Sequence, residues 1–186
     1  IVGLATNVQF LRRVARTDSF AQAKLDTALI QREQAVLFHQ EPVGLPLAAA
    51  AAVAQTLLHE RASEGVDPFS RRDGFHTHGV VQRRFEFEFA GEHVKASLTY
   101  ERGGSLTLSV GSGEAMVTSP LVFEQRAGGI ELQFAGQRTR AAVYPQGEVD
   151  HVFTPLGATQ ITSIDLLAHS GETAAEGGRL TAPMPG

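Results

Sequence analysis

Between Leu45 and Ala62 the chain reads LPLAAAAAVAQTLLHERA, and this stretch restricts the fold more than any other. Pro46 suits a first helical turn, where its missing N–H costs nothing, and alanine has the highest helix propensity, so the segment predicts a single helix. A helix lying on a protein surface carries a wide polar stripe, yet from Leu45 to Ala54 no face is polar. That half is expected to be buried on all sides. The apolar run from Leu45 to Leu58 is also too short and too rich in alanine to cross a bilayer, which takes roughly 20 strongly apolar residues.

What could bury it comes later in the chain. From about Val80 to Ile164 the hydrophobic period changes to two, with turn residues at short intervals. Arg84-Phe85-Glu86-Phe87-Glu88-Phe89 alternates strictly, and Gly91-Glu92 then turns the chain into Val94 to Tyr100. Further runs follow at Leu106 to Val110, Ala115 to Thr118, Leu121 to Glu124, Ile130 to Phe134, Arg138 to Tyr144, Val149 to Phe153 and Gln160 to Ile164. They amount to about eight short strands joined mostly by tight turns, which predicts an antiparallel meander or closed barrel. The fold class is therefore α+β. The simplest way to bury a helix of small side chains is to wrap the sheet around it, with the alanines letting strands approach the axis and Leu57 and Leu58 filling the wider end.

Ahead of the helix, Asn7 to about Phe38 has a helical pattern, with Val8, Leu11, Val14 and Ala15 on one face and Leu29, Ile30, Val36 and Leu37 recurring later. The pattern breaks around Thr17-Asp18-Ser19. Two short helices with a polar elbow are expected, with Asn7 and Asp26 or Thr27 as N-caps. Neither has a sizeable partner in the sequence, so the segment reads as the tail of a preceding domain.

Composition removes several function classes. A net charge of −4 and a pI near 6.0 give no electrostatic reason to expect nucleic acid or an anionic membrane surface. With no cysteine, disulfides, thiolate zinc sites and cysteine nucleophiles are excluded. Phe75-His76-Thr77-His78 could place two histidines on one metal, but the next carboxylate is Glu86, too far along, and His151 lacks an accompanying pattern. His39, His59, His93 and His169 are scattered singly and read as surface residues. Gly111-Ser112-Gly113 sits where a hairpin turn is needed and does not form a nucleophile elbow. The Arg71-Arg72 and Arg83-Arg84 pairs could favour an anionic partner, but the ordinary reading of each is a solvated charge cluster. No catalytic, cofactor or metal site is expected in the chain.

One polar loop of turn formers, Val66-Asp67-Pro68-Phe69-Ser70-Arg71-Arg72-Asp73-Gly74-Phe75, carries two large aromatics without periodic partners. Phe69 and Phe75 either tuck over the mouth of the barrel or stand out as anchors for another protein.

Several stretches together resemble the α-subunit of 3-methylcrotonyl-CoA carboxylase, a biotin-dependent acyl-CoA carboxylase. Gly3-Leu4-Ala5-Thr6-Asn7-Val8-Gln9-Phe10-Leu11 and Leu25-Asp26-Thr27-Ala28-Leu29-Ile30-Gln31-Arg32-Glu33 look like the end of its biotin carboxylase domain. Asp67-Pro68-Phe69 with Arg72-Asp73-Gly74-Phe75 resembles the loop before its sheet, where the family often has Trp in place of Phe. Asp165-Leu166-Leu167-Ala168-His169 resembles the exit from that sheet, and Leu180-Thr181-Ala182-Pro183-Met184-Pro185-Gly186 the opening strand of the biotinyl domain.

The resemblance implies three parts: residues 1–40 from the biotin carboxylase domain, 41–170 as the BT domain, and 171–186 leading into the biotinyl carrier domain. It implies a long helix held in an antiparallel barrel, with the helix-to-sheet loop hooking onto the carboxyltransferase β-subunit. The partner-binding residues would then be Asp67, Pro68, Phe69, Arg71, Arg72, Asp73 and Phe75. Biotin and ATP with magnesium would belong to the parent protein, and its location would be the cytoplasm in a bacterium or the mitochondrial matrix in a eukaryote. The geranyl-CoA and propionyl-CoA enzymes are close alternatives, because substrate choice in the family belongs to the carboxyltransferase subunit. A self-standing barrel that binds a small ligand or metal is the contrasting reading, and it needs an empty lumen.

Overall fold

The computed structural model describes residue 2 and residues 7–38, 43–72, 74, 79–155 and 157–165. Eight antiparallel strands follow one another in sequence order around a closed barrel: β1 (Val81–Phe89), β2 (Glu92–Tyr100), β3 (Leu106–Val110), β4 (Val117–Arg126), β5 (Gly129–Phe134), β6 (Gln137–Gln146), β7 (Val149–Phe153) and β8 (Ala158–Ser163). Closure comes from β8 returning to β1, where Phe87 pairs with Ser163 and Glu88 with Thr162.

The lumen holds the helix Leu45–Ala62, which lies against β1 and β3 through β8. Every residue from Ala48 to Ala54 is buried, as is Leu57, while Leu58 is half-buried. Facing them are inward members of each alternating strand: Phe87, Leu98, Leu108, Leu121, Leu132, Phe134, Ala141, Val152 and Ile161. Helix and sheet share one core because neither can bury its apolar atoms without the other. The α+β expectation and the wrapped helix are both what the structure shows. Thr56 lies where the helix begins to acquire polar residues, and its hydroxyl donates to the Ala52 carbonyl at 3.0 Å.

Strand boundaries differ from the sequence reading in ways that have local causes. The runs at Ala115 to Thr118 and Leu121 to Glu124 are one strand, β4, carried through Ser119 and Pro120. Ala115 itself belongs to a one-turn 3-10 helix at Gly113–Ala115 that bridges β3 and β4. The first hairpin turns at Ala90-Gly91, one residue earlier than expected, and Glu92 already pairs with Phe89. Both Ala90 (φ 53°) and Gly91 (φ 82°) are left-handed, as a twist-matched two-residue turn requires, and Ala135-Gly136 repeats this at the β5–β6 turn. Alanine pays a steric penalty in that region that asparagine largely avoids. Gly129 opens β5 at φ 150°, where a Cβ would come within 2.5 Å of the Ala141 carbonyl oxygen.

Among the described residues before the barrel, four short helices replace the two expected: α1 (Val8–Val14), α2 (Asp18–Ala21), α3 (Leu29–Arg32) and α4 (Gln34–Leu37), so that the wrapped helix is α5. The polar elbow at Thr17-Asp18-Ser19 is itself helical, because the Thr17 hydroxyl accepts from the Phe20 N–H at 3.2 Å. Asn7 makes no side-chain cap. Asp26 accepts from the Ala28 N–H at 3.1 Å and pairs with Arg32 at 3.1 Å, so it anchors the entry to α3 from outside the helix.

Two substitutions test this packing. Ala50→Phe places an aromatic ring on a helix face with no free space and is expected to destabilise the domain by about 1–3 kcal/mol or more, measured by thermal or denaturant unfolding. Ala90→Asn is expected to stabilise it by about 0.5–1 kcal/mol, because asparagine tolerates the left-handed turn conformation better than alanine.

Candidate partner-docking loop at the barrel mouth

As α5 leaves the barrel its polar residues begin, and they are tied to the rim. Arg83 lies on the inward-facing side of β1, and its guanidinium meets the Glu60 carboxylate in a two-point contact at 2.6 and 2.7 Å. Its plane lies over the Phe85 ring, 4.8 Å from the centroid, and Arg61 lies similarly over Phe123 at 5.0 Å. Reading Arg83-Arg84 as a solvated pair is therefore wrong for Arg83. A strand of period two sends successive residues to opposite sides, so Arg84 is exposed and Arg83 points at the helix. The Arg83 guanidinium holds the Glu60 carboxyl below its ordinary range, with partial burial opposing. Glu60 in turn raises Arg83, and Tyr100 adds to this.

From this fixed helix end springs the loop that joins α5 to β1. Its first half is organised by its own side chains. The Asp67 carboxylate accepts from the Phe69 N–H at 2.9 Å and starts a one-turn 3-10 helix, Pro68–Ser70. The Ser70 hydroxyl donates to the Asp67 carbonyl at 2.6 Å and accepts from the Gly65 N–H at 2.9 Å, closing the turn on itself. Glu64 accepts from the Arg72 N–H at 2.9 Å. Further along, Gly74 (φ 72°) is seated so closely on Tyr100 that a Cβ there would lie 2.5 Å from the ring. Tyr100 ends β2 opposite Val81, the first residue of β1, so this contact sits on the same rim.

An ordered turn thus presents apolar side chains to solvent. Phe69 is 96% exposed, and Val66 is fully exposed. Of the two readings left open for Phe69, the structure excludes tucking over the mouth. Asp67, Pro68, Arg71 and Arg72 share the same exposed stretch. Asp73 and Phe75 lie outside the described residues, as do the His76 and His78 pair, His39, His169 and residues 166–186. Sequence reading did not single out Val66 as a candidate contact, nor Glu64 and Ser70 as the groups that hold the turn; the Asp-Pro-Phe-Ser spacing, with acceptors flanking a short turn, was the available signal.

Among the described residues there is no group of three or more His, Asp or Glu able to hold a metal. No described helix is long and apolar enough to cross a membrane. His59 and His93 are exposed, and His93 contacts Glu86 at 3.0 Å. His151 is buried between the Gln146 and Gln160 amides, each 3.2 Å from a ring nitrogen.

A helix that fills the lumen of a closed meander, with an ordered apolar turn standing out from the rim, defines a helix-in-barrel module whose accessible chemistry lies on its outside. Residues 44–166 match the family described as the BT domain of the methylcrotonyl-CoA carboxylase alpha-subunit. The match spans α5, the loop and all eight strands, about two-thirds of the chain, and the protein belongs to that family. Comparison with curated proteins returned no significant match.

Two measurements probe the loop and its mounting. Glu60→Gln is expected to cost about 1–2 kcal/mol at neutral pH, discounted for the partial exposure of Arg83. Because the folded pKa of Glu60 is depressed, the difference between wild type and variant is full above the ordinary value of 4.5 and shrinks as pH falls through the folded value. A difference that is constant between pH 7 and 3 would remove the pair from the stability of the rim. Ser70→Ala is expected to accelerate hydrogen exchange at the Gly65 and Phe69 amides while moving the global melting temperature little, since the turn lies outside the core.

Proposed function

We propose that the chain is the part of a biotin-dependent acyl-CoA carboxylase α-subunit that joins biotin carboxylase to the carboxyltransferase β-subunit, with 3-methylcrotonyl-CoA carboxylase of leucine degradation as the parent enzyme. The role is mechanical: the barrel is a rigid spacer, and the loop at its mouth is the contact. The observation that carries this reading is Phe69, exposed at the tip of a turn that its own side chains hold in place. A large aromatic held in water on an ordered turn has little to contribute to the core and is a typical hot-spot side chain at an interface.

Two further observations support the wider arrangement. The lumen is occupied by α5, whose residues Ala48 to Ala54 are all buried, where a self-standing binding barrel would keep its interior for a ligand. In the segment before α5, Val8, Leu11, Phe20, Leu25, Ile30, Val36 and Phe38 are exposed, which suits a piece whose apolar surface belongs against a preceding biotin carboxylase domain. In this reading ATP, magnesium and biotin act elsewhere in the parent, and the parent works where the carboxyltransferase is found, in a bacterial cytoplasm or a mitochondrial matrix.

The test is co-purification of the chain with the carboxyltransferase β-subunit from the same genome. Phe69→Ala combined with Phe75→Ala is expected to weaken binding by about tenfold or more and to leave the circular dichroism spectrum and melting temperature close to wild type. Equal retention of wild type and double variant on the partner column would sink the docking assignment.

A further inference from the structure

The outward positions of β6, β7 and β8 form three rows across the strands: Ala142, Phe153 and Ala158; Tyr144, His151 and Gln160; Gln146, Val149 and Thr162. None of these is Asp, Glu, Lys or Arg, whereas the outer wall of β1 and β2 carries Arg84, Glu86, Glu88 and Lys95. At the centre of the uncharged wall stands His151, which is only 8% exposed although it points away from the core that holds its neighbour Val152. Both ring nitrogens are engaged. Nε2 lies 3.2 Å from the Gln146 amide oxygen, and Nδ1 lies 3.2 Å from the Gln160 amide nitrogen. An amide oxygen only accepts and an amide nitrogen only donates, so the neutral ring carries its proton on Nε2. Gln146 and Gln160 are themselves exposed, and the second polar atom of each amide has no hydrogen bond to a described residue. Of these two amides, Gln146 therefore shows its NH2 to solvent and Gln160 its oxygen.

We propose that His151 is a pH-operated switch that sets which hydrogen-bonding atoms this wall displays. Protonation puts an N–H on Nδ1 as well, and that N–H meets the Gln160 NH2, donor against donor. Turning the Gln160 amide over relieves the conflict: its oxygen accepts from Nδ1–H, and its NH2 takes the outward place. The new bond has a cationic donor and is stronger than the neutral one it replaces. With His151 neutral, the two amides show solvent one donor and one acceptor; with His151 protonated, both show donors. The opposite neutral tautomer, with both amides turned over, gives the same one-to-one display, so the change belongs to protonation itself. Histidine is the side chain whose ordinary charge change falls between about pH 5 and pH 8. Among the described residues, the other ionisable groups around the ring are Tyr144 beside it and Arg140 further along β6, Glu88 of β1 beside Thr162, and Asp150 on the opposite face of β7, whose ionised form a positive His151 favours. None of them bonds to the ring, and the outward positions of β8 present no ionisable group.

The experiment is an NMR titration of the isotope-labelled full chain from about pH 8 to about pH 5, following the His151 ring and the side-chain amides. Three proteins are compared: wild type, Gln160→Leu and Gln146→Leu. Both replaced residues are exposed on the outer wall, so circular dichroism and melting temperature are expected to stay close to wild type. In wild type the ring signals are expected to titrate, and a slowly exchanging Nδ1–H proton to appear as they do. The Gln160 NH2 should exchange faster with water over the same interval, because it no longer touches the ring. Gln160→Leu is expected to lose the slowly exchanging Nδ1–H, and Gln146→Leu to keep it. A ring that does not titrate in this interval overturns the switch. So does a wild-type ring that titrates without a protected Nδ1–H, since Gln160 then swings into water instead of turning over. A protected Nδ1–H that survives in Gln160→Leu overturns it as well, because protection then comes from burial and not from the amide oxygen.

Discussion

Everything in this structure depends on the fit between a helix of alanines and the sheet that encloses it. The radius of a closed barrel is set by its strand number and stagger, so the space along its axis is fixed before any side chain is placed. Eight strands leave room for a thin cylinder, and the run Ala48 to Ala54 supplies one, with Val53 as its larger member and buried Leu57 following it. The strands contribute the bulk from outside the cylinder: Phe87, Leu98, Leu108, Leu132 and Phe134 point inward and are essentially without solvent contact. The division of labour is thus small side chains on the axis and large ones on the wall. It also shortens the exposed edge of the sheet, since β8 returns to cover β1 at Phe87 and Glu88.

That the fold is legible in the sequence follows from the same fit. A helix apolar on every face and a long run of period two are both strong patterns, and each lacks a burial partner until it is given the other. Finer features were decided by short-range geometry that pattern does not carry. Pro120 interrupts the alternation enough to split β4 into two apparent strands, yet the ladder runs through it from Val110 opposite Val117 to Leu106 opposite Leu121. Ala90-Gly91 and Ala135-Gly136 make turns for which asparagine or aspartate before glycine would be the usual signal. In the leading segment, three- and four-residue spacings fitted two helices, whereas the Thr17 hydroxyl starts another in their midst.

The loop between α5 and β1 was legible in outline and not in its display. Turn formers around two phenylalanines marked it as irregular and exposed, but composition cannot say which way a loop aromatic points. The answer lies in the backbone: Asp67 and Ser70 hold residues 65–70 in a closed turn, and no side chain of that turn covers Phe69. Arg83 shows the opposite error. Adjacent arginines look alike in a sequence, but on a strand they face opposite ways, and one of this pair is the contact that fastens the helix end to the rim.

Seen from the loop, the barrel is a mounting. The docking role proposed for the loop asks for a base that does not yield, since each degree of freedom left in the base would be lost again as entropy when a partner binds. Here the loop leaves a helix that is held against sliding, because Ala48 to Ala54 are all buried and Glu60 accepts from both terminal guanidinium nitrogens of Arg83. At its far side Gly74 rests on Tyr100, at the end of a strand paired with β1 along its whole length. The exposed tip between these two anchorages is short and internally hydrogen-bonded. The alanine run therefore does more than fill a barrel: by locking the helix in the lumen, it fixes where Phe69 stands.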